Sequence, residues 1–132
     1  MAETETFHCS VITPERAVLE SDATFVAFPA HDGEVGILRN RAPLLFKMGA
    51  GLLRVETPQG KQVLFVSGGF AQMVDNRLTI LTEQARDPGT IERAGAERAL
   101  DEALAMKARD EASYQARQRA LQSARAQLRL AR

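Results

Sequence analysis

The stretch FPAHDGEVGILRNRAPLLFKMGAGLLRV, residues 28–55, decides the fold of this chain. Short apolar runs alternate in it with two prolines and four glycines: Pro29, Gly33, Gly36, Pro43, Gly49 and Gly51. A glycine costs a helix interior about 1 kcal/mol relative to alanine, and a proline costs about 3 kcal/mol. The stretch therefore predicts short strands joined by tight turns.

The same character extends to both sides of this stretch. Phe7, Cys9 and Val11 alternate with polar residues, which predicts a strand with one buried face. Two hairpins are predicted, one pairing 52–57 with 61–67 and one pairing 70–74 with 78–82. Residues 63–66 are apolar on both faces, which predicts a central strand. Strands at this spacing favour an antiparallel β-sandwich or barrel.

The pattern changes after the breaker residues of segment 86–90. Residues 96–132 contain neither glycine nor proline and are rich in alanine, which predicts helix. We expect a helical hairpin in which Asp110 or Ser113 caps the second arm, with one long helix as the open alternative. The fold class is mainly β with an α appendage, divided into a sandwich domain at 1–87 and a helical hairpin domain at 88–132.

Charge is sorted between these two parts although the whole chain is neutral. Residues 1–87 carry eight Lys or Arg and eleven Asp or Glu, whereas residues 88–132 carry nine and six. Sorted charge indicates oriented partners. One cysteine allows no internal disulfide, the start lacks a signal-peptide core, and no apolar run reaches the ~20 residues of a membrane helix. These features favour a soluble intracellular protein.

No group of residues in the sequence forms a convincing catalytic or metal site. Gly49-Ala50-Gly51 leads into a strand, so it lacks the helix N-terminus that a phosphate loop needs. His8 and His31 have no partner at metal-ligand spacing, and Ser67 lacks the strand–turn–helix of a nucleophile elbow. Cys9 fits a small buried hydrophobe. We therefore predict a non-enzymatic chain with no metal and no cofactor.

The final segment is basic, with five arginines and no acid in residues 112–132: Arg117, Arg119, Arg125, Arg129 and Arg132. Clustered cations suit phosphate binding, but Tyr114 is the only aromatic residue among them. A protein-facing or solvated basic face is therefore favoured. A free-standing module that binds nucleic acid or an acidic protein stays open as the alternative.

Four segments of the chain carry recognisable motifs: FHCSVITPER (7–16), GEVGIL (33–38) with APLL (42–45), VSGGFA (66–71) with LTIL (78–81), and ARAQLRL (124–130). Together they resemble the epsilon subunit of F-type ATP synthases over nearly the whole chain. The residues that carry the family signature are Gly33, Gly36, Ile37, Ala42, Pro43, Gly68 and Gly69.

The resemblance implies a non-catalytic rotor subunit that couples proton-driven c-ring rotation to ATP synthesis. Its implied partners are the gamma subunit, the c-ring and, transiently, the alpha/beta catalytic head, with no nucleic acid. The implied location is peripheral, on the cytoplasmic side of a bacterial-type energy-transducing membrane. Glu34, held at a tight turn by Gly33 and Gly36, is the implied c-ring contact together with Val35 and Arg39.

The resemblance also implies a regulatory hairpin, which folds down on the sandwich or extends toward the head and restrains ATP hydrolysis. Its inhibitory basic face would consist of Arg117, Arg119, Arg125 and Arg129. Some family members bind ATP through an I/L-D-x-x-R-A motif. Arg93 and Ala94 match it here as nucleotide contacts, but Gly89 and Thr90 replace its aliphatic and aspartate positions, which argues against ATP binding. A further departure is Arg41, where the family usually has histidine.

Overall fold

The computed structural model describes residues 5–30 and 33–131. Its elements, in chain order, are β1 (Phe7–Ile12), β2 (Ala17–Ala23), β3 (Phe25–Ala30), β4 (Gly33–Ile37), β5 (Leu44–Lys47), β6 (Ala50–Thr57), β7 (Gly60–Ser67), β8 (Phe70–Val74), β9 (Arg77–Leu81), β10 (Ala85–Arg86), a 3-10 turn (Pro88–Thr90), α1 (Arg93–Ala105) and α2 (Glu111–Leu130). The predictions for His31 and Arg132 fall outside the described residues.

The strands form two five-stranded sheets, which confirms the predicted sandwich. Sheet 1 has the order β2-β1-β9-β8-β5, and sheet 2 has the order β10-β7-β6-β3-β4. Both predicted hairpins are present, as β6 with β7 and β8 with β9. The sandwich is not purely antiparallel, because β1 runs parallel to β9. Sequence-local turns cannot reveal this pairing, since the two strands lie far apart along the chain.

The core lies between the two sheets and follows the alternation read from the sequence. Phe7, Cys9 and Val11 are buried, at 2%, 0% and 0% exposure. The rings of Phe28 and Phe46 pack against each other with centroids 5.5 Å apart at an angle of 56°. The inward side chains of both sheets therefore form the hydrophobic centre that a period of two predicts.

Both faces of strand β7 are apolar because one packs in the sandwich core and the other packs against helix α2. Strand β7 lies between β6 and the two-residue β10, so it is paired on both sides only near its end. Val66 points into the sandwich core, whereas Phe65 packs in a separate cluster with Ile91 and Ala126. The predicted burial of both faces is correct, and the outer face is covered by helix rather than by sheet.

Two adjacent glycines carry the chain from sheet 2 to sheet 1. Gly68 and Gly69 have φ angles of 69° and 101° and join β7 to β8. A Cβ atom on Gly69 would lie 1.8 Å from the carbonyl oxygen of Leu81. The predicted sharp bend is thus present, and a side chain at Gly69 would prevent the close approach of β9.

The C-terminal segment forms two helices, which confirms the hairpin and excludes the single long helix. The Asp110 side chain accepts a hydrogen bond from the backbone N–H of Ser113, and the Ser113 hydroxyl in turn accepts one from the backbone N–H of Asp110. This capping box starts α2 and identifies Asp110, rather than Ser113, as the N-cap. Among the described residues, no helix is long and apolar enough to cross a membrane.

Candidate functional site

The outer face of sheet 1 carries an apolar row that crosses three strands. Strand pairing places Phe70 of β8 opposite Leu81 of β9, and Leu81 beside Ile12 of β1. Phe70 and Leu81 are 48% and 49% exposed, and Leu45 on the neighbouring β5 is 71% exposed. Exposed leucine and phenylalanine side chains grouped on one face are typical of a protein-binding surface. We call Phe70, Leu81 and Ile12 the apolar row.

The other half of this face, on β1 and β2, is polar. The Nδ1 atom of His8 lies 3.3 Å from the Oδ1 atom of Asp22. One step along the strands, the Ser10 hydroxyl donates to the Glu20 carboxylate at 3.3 Å. His8 is therefore a strand residue, as expected, and the neighbouring strand brings one carboxylate beside it, which sequence spacing did not indicate. On the other side of the face, Lys47 lies opposite Phe70 and Gln72 lies opposite Leu45. A hydrophobic contact is therefore limited to the apolar row and Leu45.

Glu34, the implied ring contact, lies in the edge strand β4 rather than in a turn. Its Oε1 atom accepts a hydrogen bond of 3.0 Å from Nη2 of Arg54, which reaches across β3 from β6. The Glu34 side chain remains 50% exposed, and such an ion pair is worth about 0–1 kcal/mol. Its neighbour Val35 points the other way and packs against the core.

Arg39 lies beyond the opposite end of β4 from Glu34. The two lie five positions apart in the sequence, which corresponds to roughly 15 Å of nearly extended chain. Arg39 forms an exposed contact of 3.5 Å between its Nη1 atom and Oε1 of Glu5. The three residues implied as one ring contact are therefore not brought together, since Val35 points inward and the two charges lie apart.

The signature residues have several different structural roles. Gly36 lies inside β4, where a Cβ atom would be 2.9 Å from the ring of Phe25, so the glycine makes room for that ring. The expectation that Gly33 and Gly36 shape a turn around Glu34 is therefore wrong, because both are strand residues. Ile37 is buried in the core. Ala42 and Pro43 are exposed in the loop that follows β4.

That loop, residues 38–43, is attached to the β8–β9 turn by two asparagines that sequence reasoning did not select. The backbone N–H of Asn40 donates to Oδ1 of Asn76 at 2.7 Å, and Nδ2 of Asn76 donates to Oδ1 of Asn40 at 3.0 Å. Both residues have positive φ, at 65° and 59°. Asparagine in a turn is a local signal, but nothing local links these two positions.

The helical hairpin is docked on the outer face of sheet 2 through α2. A small cluster joins Ala126 of α2 to Phe65, Ala50 and Ile91. The Ser67 hydroxyl adds a hydrogen bond of 3.1 Å to the Ser123 hydroxyl. Leu130 and Ala131 also pack against the cluster, so its large apolar side chains are Phe65, Ile91 and Leu130. Three large side chains bury little apolar surface for a contact between two helices and a sheet. Helix α1 packs chiefly against α2.

The four arginines proposed as an inhibitory face do not share one face of α2. At about 100° per residue, Arg125 and Arg129 lie about 40° apart, whereas Arg119 lies about 120° from Arg125. Arg117 is directed to the inter-helix turn, where its Nε donates to the carbonyl oxygen of Met106 at 3.1 Å. Arg129 and Glu34 line opposite walls of an open groove of about 500 Å³ between α2 and sheet 2.

Arg93 and Ala94 occupy the first turn of α1 and are both exposed. Neither residue lines the groove beside Glu34 or the smaller groove between the helices, of about 380 Å³. Thr90, at the aspartate position of the nucleotide motif, instead donates its hydroxyl hydrogen to the Asp87 carbonyl oxygen at 2.7 Å. Residues 88–90 therefore form a 3-10 turn capped by Asp87, and the hydroxyl of Thr90 is used within that turn.

The titratable groups of the described residues do not form a reactive centre. Burial raises the pKa of the Cys9 thiol to about 12, so this thiol is inert in the folded sandwich. Hydrogen bonds from the backbone and side chain of Ser113 lower the pKa of Asp110, which reflects its capping role. Within residues 5–30 and 33–131, no three His, Cys, Asp or Glu side chains are grouped to hold a metal ion.

Comparison with known proteins relates this architecture to one family. A family model described as "ATP synthase, Delta/Epsilon chain, beta-sandwich domain" matches residues 6–88. The ATP synthase epsilon chain of Rhodopirellula baltica is 41% identical over 124 residues, which cover 94% of this chain and 97% of the relative. The ATP synthase epsilon chain of Syntrophomonas wolfei is 35% identical over 133 residues, covering 100% and 91%.

Two solved structures are also similar. A chain in the mitochondrial ATP synthase OSCP/F1/c-ring structure of Euglena gracilis superposes with a TM-score of 0.74 at 25% identity, covering 92% of this chain and 78% of that one. A chain in the central stalk/c-ring structure of the Tetrahymena thermophila mitochondrial ATP synthase gives a TM-score of 0.63 at 15% identity, covering 98% and 96%. At that identity the second likeness concerns the fold alone.

Proposed function

This chain belongs to the ATP synthase epsilon-chain family, and we propose that its sandwich couples rotation of the c-ring to the gamma subunit. It is a non-catalytic subunit of the ATP synthase and forms part of the central stalk. The alternative of a nucleic-acid-binding module has no support in these comparisons. We also propose a peripheral position on the cytoplasmic side of a bacterial-type membrane.

The observation that carries the gamma-binding proposal is the apolar row on the outer face of sheet 1. Complete burial of a leucine or phenylalanine contributes about 1.5–3 kcal/mol, so covering the exposed half of Phe70 or Leu81 contributes about 1 kcal/mol each. The docked helices occupy the other sheet, which leaves this face for a partner. A long helical shaft protein with an apolar stripe is suited to a row of this kind.

The gamma contact is tested by changing Leu81 to aspartate in the full chain. A carboxylate in the apolar row should weaken binding to the gamma subunit at least tenfold, or ~1.4 kcal/mol. The matched control is Leu104→Asp, because Leu104 is also 49% exposed but lies on α1. Equal affinities for Leu81→Asp and the unchanged protein would contradict the proposal.

We propose that the ring contact is made along the edge of β4, with Glu34 and Arg39 near its two ends. Val35 supports this edge by packing inward, next to Ile37. Edge strands present free backbone groups and exposed charges to a neighbour, and β4 is the last strand of sheet 2. The ring would therefore meet a polar strand edge rather than a single loop.

Replacing Glu34 by glutamine should weaken attachment to the ring without unfolding the sandwich. The change removes the carboxylate charge and the ion pair with Arg54, which is worth at most about 1 kcal/mol of stability at this exposure. Arg54→Gln is the control, because it breaks the same ion pair and keeps the Glu34 carboxylate. If both variants lose affinity for the ring equally, the ion pair between Glu34 and Arg54 is required for attachment. The proposal that the Glu34 carboxylate itself contacts the ring is then contradicted.

For residues 88–132 we propose a regulatory role, in which the hairpin leaves sheet 2 and restrains ATP hydrolysis at the alpha/beta head. The limited size of the docking cluster supports this proposal. A partner that binds the extended hairpin more tightly than the docked one by about 5.5 kcal/mol converts a docked population into an extended one. Arg119, Arg125 and Arg129 are exposed, and Arg125 and Arg129, which lie one turn apart, form the pair suited to an acidic surface of the head. Arg117 is less suited, because it already binds Met106.

Deletion of residues 88–132 should raise the ATPase activity of the assembled complex and leave assembly intact. The charge variant Arg125→Glu/Arg129→Glu tests the basic pair separately and should raise hydrolysis in the same direction. Its matched control is Lys107→Glu, a change of the same sign at an exposed position between the helices. Unchanged hydrolysis in the deletion variant would assign the hairpin a purely stabilising role.

A further inference from the structure

The loop of residues 38–43 is unusually exposed for a segment so well anchored. Leu38 is 62% exposed, and residues 39–43 are all exposed. An exposed loop without a partner commonly has several conformations of similar energy. Here the backbone is fixed from outside by Asn76, and within the loop by a hydrogen bond of 3.3 Å from the Arg41 N–H to the Leu38 carbonyl oxygen.

The anchor itself is attached to the body of the sandwich. Asn76 lies in the β8–β9 turn, and its carbonyl oxygen accepts a hydrogen bond of 2.9 Å from the backbone N–H of His8 on β1. Asp75 and Asn76 have φ angles of 50° and 59°, so the turn presents the Asn76 side chain away from its own strands and toward Asn40. The reciprocal amide pair thus connects the loop to the centre of sheet 1.

The loop is also distinct in charge. Residues 35–55 contain four cations and no acid, although residues 1–87 as a whole are acidic. Two of these cations contact a carboxylate, Arg39 that of Glu5 and Arg54 that of Glu34. The other two are Arg41, in the loop, and Lys47, on β5, which directly follows the loop. The loop ends one residue before Leu44, so it is continuous with Leu45 on the open face of sheet 1.

We propose that Asn76 is a positioning residue that holds loop 38–43 as a basic rim at the β8–β9 turn end of sheet 1. There Leu38 and Arg41 meet an acidic segment of the shaft protein, which runs along the sheet to the apolar row at the other end of β8 and β9, roughly 13 Å away. This inference rests on the proposed gamma contact and adds to it the chemistry of the partner. Because the hydrogen bonds between Asn40 and Asn76 already fix the loop, less conformational entropy is lost when the partner binds. The charge of Arg41 selects the acidic segment and accelerates encounter.

The positioning role is tested by Asn76→Gly in the full chain. Glycine adopts the same positive φ without strain, so the variant removes the side-chain amide and keeps the turn. The Asn40 amide proton should exchange faster, and the affinity for an ATP synthase complex stripped of its epsilon chain should fall about fivefold. Asp75→Gly is the matched control and should leave both quantities unchanged.

The charge of the partner is tested by Arg41→Glu, with Lys107→Glu as the control at an exposed position outside the sandwich. Charge reversal at the rim should weaken binding about tenfold or more at low salt and reduce the dependence of affinity on salt. Lys107→Glu should bind like the unchanged chain. The same variants are also measured on vesicles of anionic phospholipid, where no binding is expected.

Several outcomes overturn the inference. Faster Asn40 exchange in Asn76→Gly at unchanged affinity removes the loop from the interface, and undiminished affinity of Arg41→Glu removes the acidic partner. Binding to anionic vesicles that Arg41→Glu abolishes replaces the protein partner by a membrane surface. These results differ from failure of the gamma contact itself, which is seen when Leu81→Asp binds as well as the unchanged chain.

Discussion

Replacing Phe65 by alanine should release the helical hairpin and leave the sandwich folded. Phe65 is fully buried, but its ring points away from the sandwich core and into the cluster formed with α2 and Ile91. When the hairpin is undocked, this ring lies on the open outer face of sheet 2. The substitution therefore removes apolar contact mainly from the docked state.

The size of the effect follows from the buried ring. Complete burial of a phenylalanine contributes about 1.5–3 kcal/mol, and neighbouring strands retain some of that contact after undocking. We therefore expect the docked state to lose about 2 kcal/mol, which is a factor of about 30 in the docking equilibrium. Of the other buried members of the cluster, Ala126 and Ala50 are too small to offset this loss, and Ile91 precedes both helices.

The assay measures helix and sandwich separately in the same sample. Amide hydrogen exchange in α2 reports undocking and should accelerate about 30-fold, because exchange follows the open fraction. Labelling of Cys9 by a thiol reagent reports the sandwich, since this thiol is buried and its pKa is raised to about 12. The Cys9 labelling rate should be unchanged. Phe70→Ala, on the opposite sheet, should alter neither rate.

Two results would refute the reasoning. If α2 exchange does not accelerate in Phe65→Ala, the cluster around Phe65 does not hold the hairpin. If Cys9 labelling accelerates by the same factor as α2 exchange, the hairpin and the sandwich open together and the docked state is not an independent equilibrium. Either outcome would also weaken the proposed regulatory role of residues 88–132.

Two further predictions concern single positions. Gly69→Ala should reduce the free energy of unfolding, measured in urea, by more than ~3 kcal/mol, because the added Cβ would lie 1.8 Å from the Leu81 carbonyl oxygen. Gly68→Ala is the control and should cost only about 1 kcal/mol, because the space around Gly68 is open. Similar losses in the two variants would contradict the contact. Because the pKa of Asp110 is lowered in the folded state, its capping contribution is present above the ordinary value of 3.8 and is lost as pH falls below it. The protection factor of the Ser113 amide, which compares its exchange with that of the unfolded chain at the same pH, should therefore fall on acidification in the unchanged chain and much less in Asp110→Asn, and equal falls in both would contradict the assignment.

Local patterns predicted much of this fold because the relevant physics acts over a few residues. Alternation over 7–11 identifies the buried side of β1, and the breaker residues at 58–60 and 75–76 identify both hairpin turns. Asp110 was one of two predicted caps, since a capping residue acts on the three residues that follow it. The family resemblance predicted the type of subunit, and the comparisons confirm it.

The candidate site was predicted less well, because its parts come from distant segments. Sequence placed Glu34 in a turn with Val35 and Arg39 as its neighbours, whereas the structure places Glu34 and Val35 in β4, with Val35 turned inward, and Arg39 in the loop that follows β4. The ion pair of Glu34 with Arg54 depends on two strands that are adjacent only through β3. Neither relation can be read from spacing along the chain.

The sequence by itself determined most of the strands, both hairpin turns, the bend at Gly68-Gly69, the cap of α2 and the apolar face of β1. It did not determine that residues 33–37 form strand β4 or that α1 begins at Arg93. Only the tertiary structure decided the register between strands. That register sets Phe70 beside Leu81 and Leu81 beside Ile12, assigns Phe65 to the hairpin and Val66 to the core, and brings Asn40 to Asn76. The physical reason is that side-chain alternation has a period of two within a strand, whereas pairing is selected by backbone hydrogen bonds and burial across the whole sandwich.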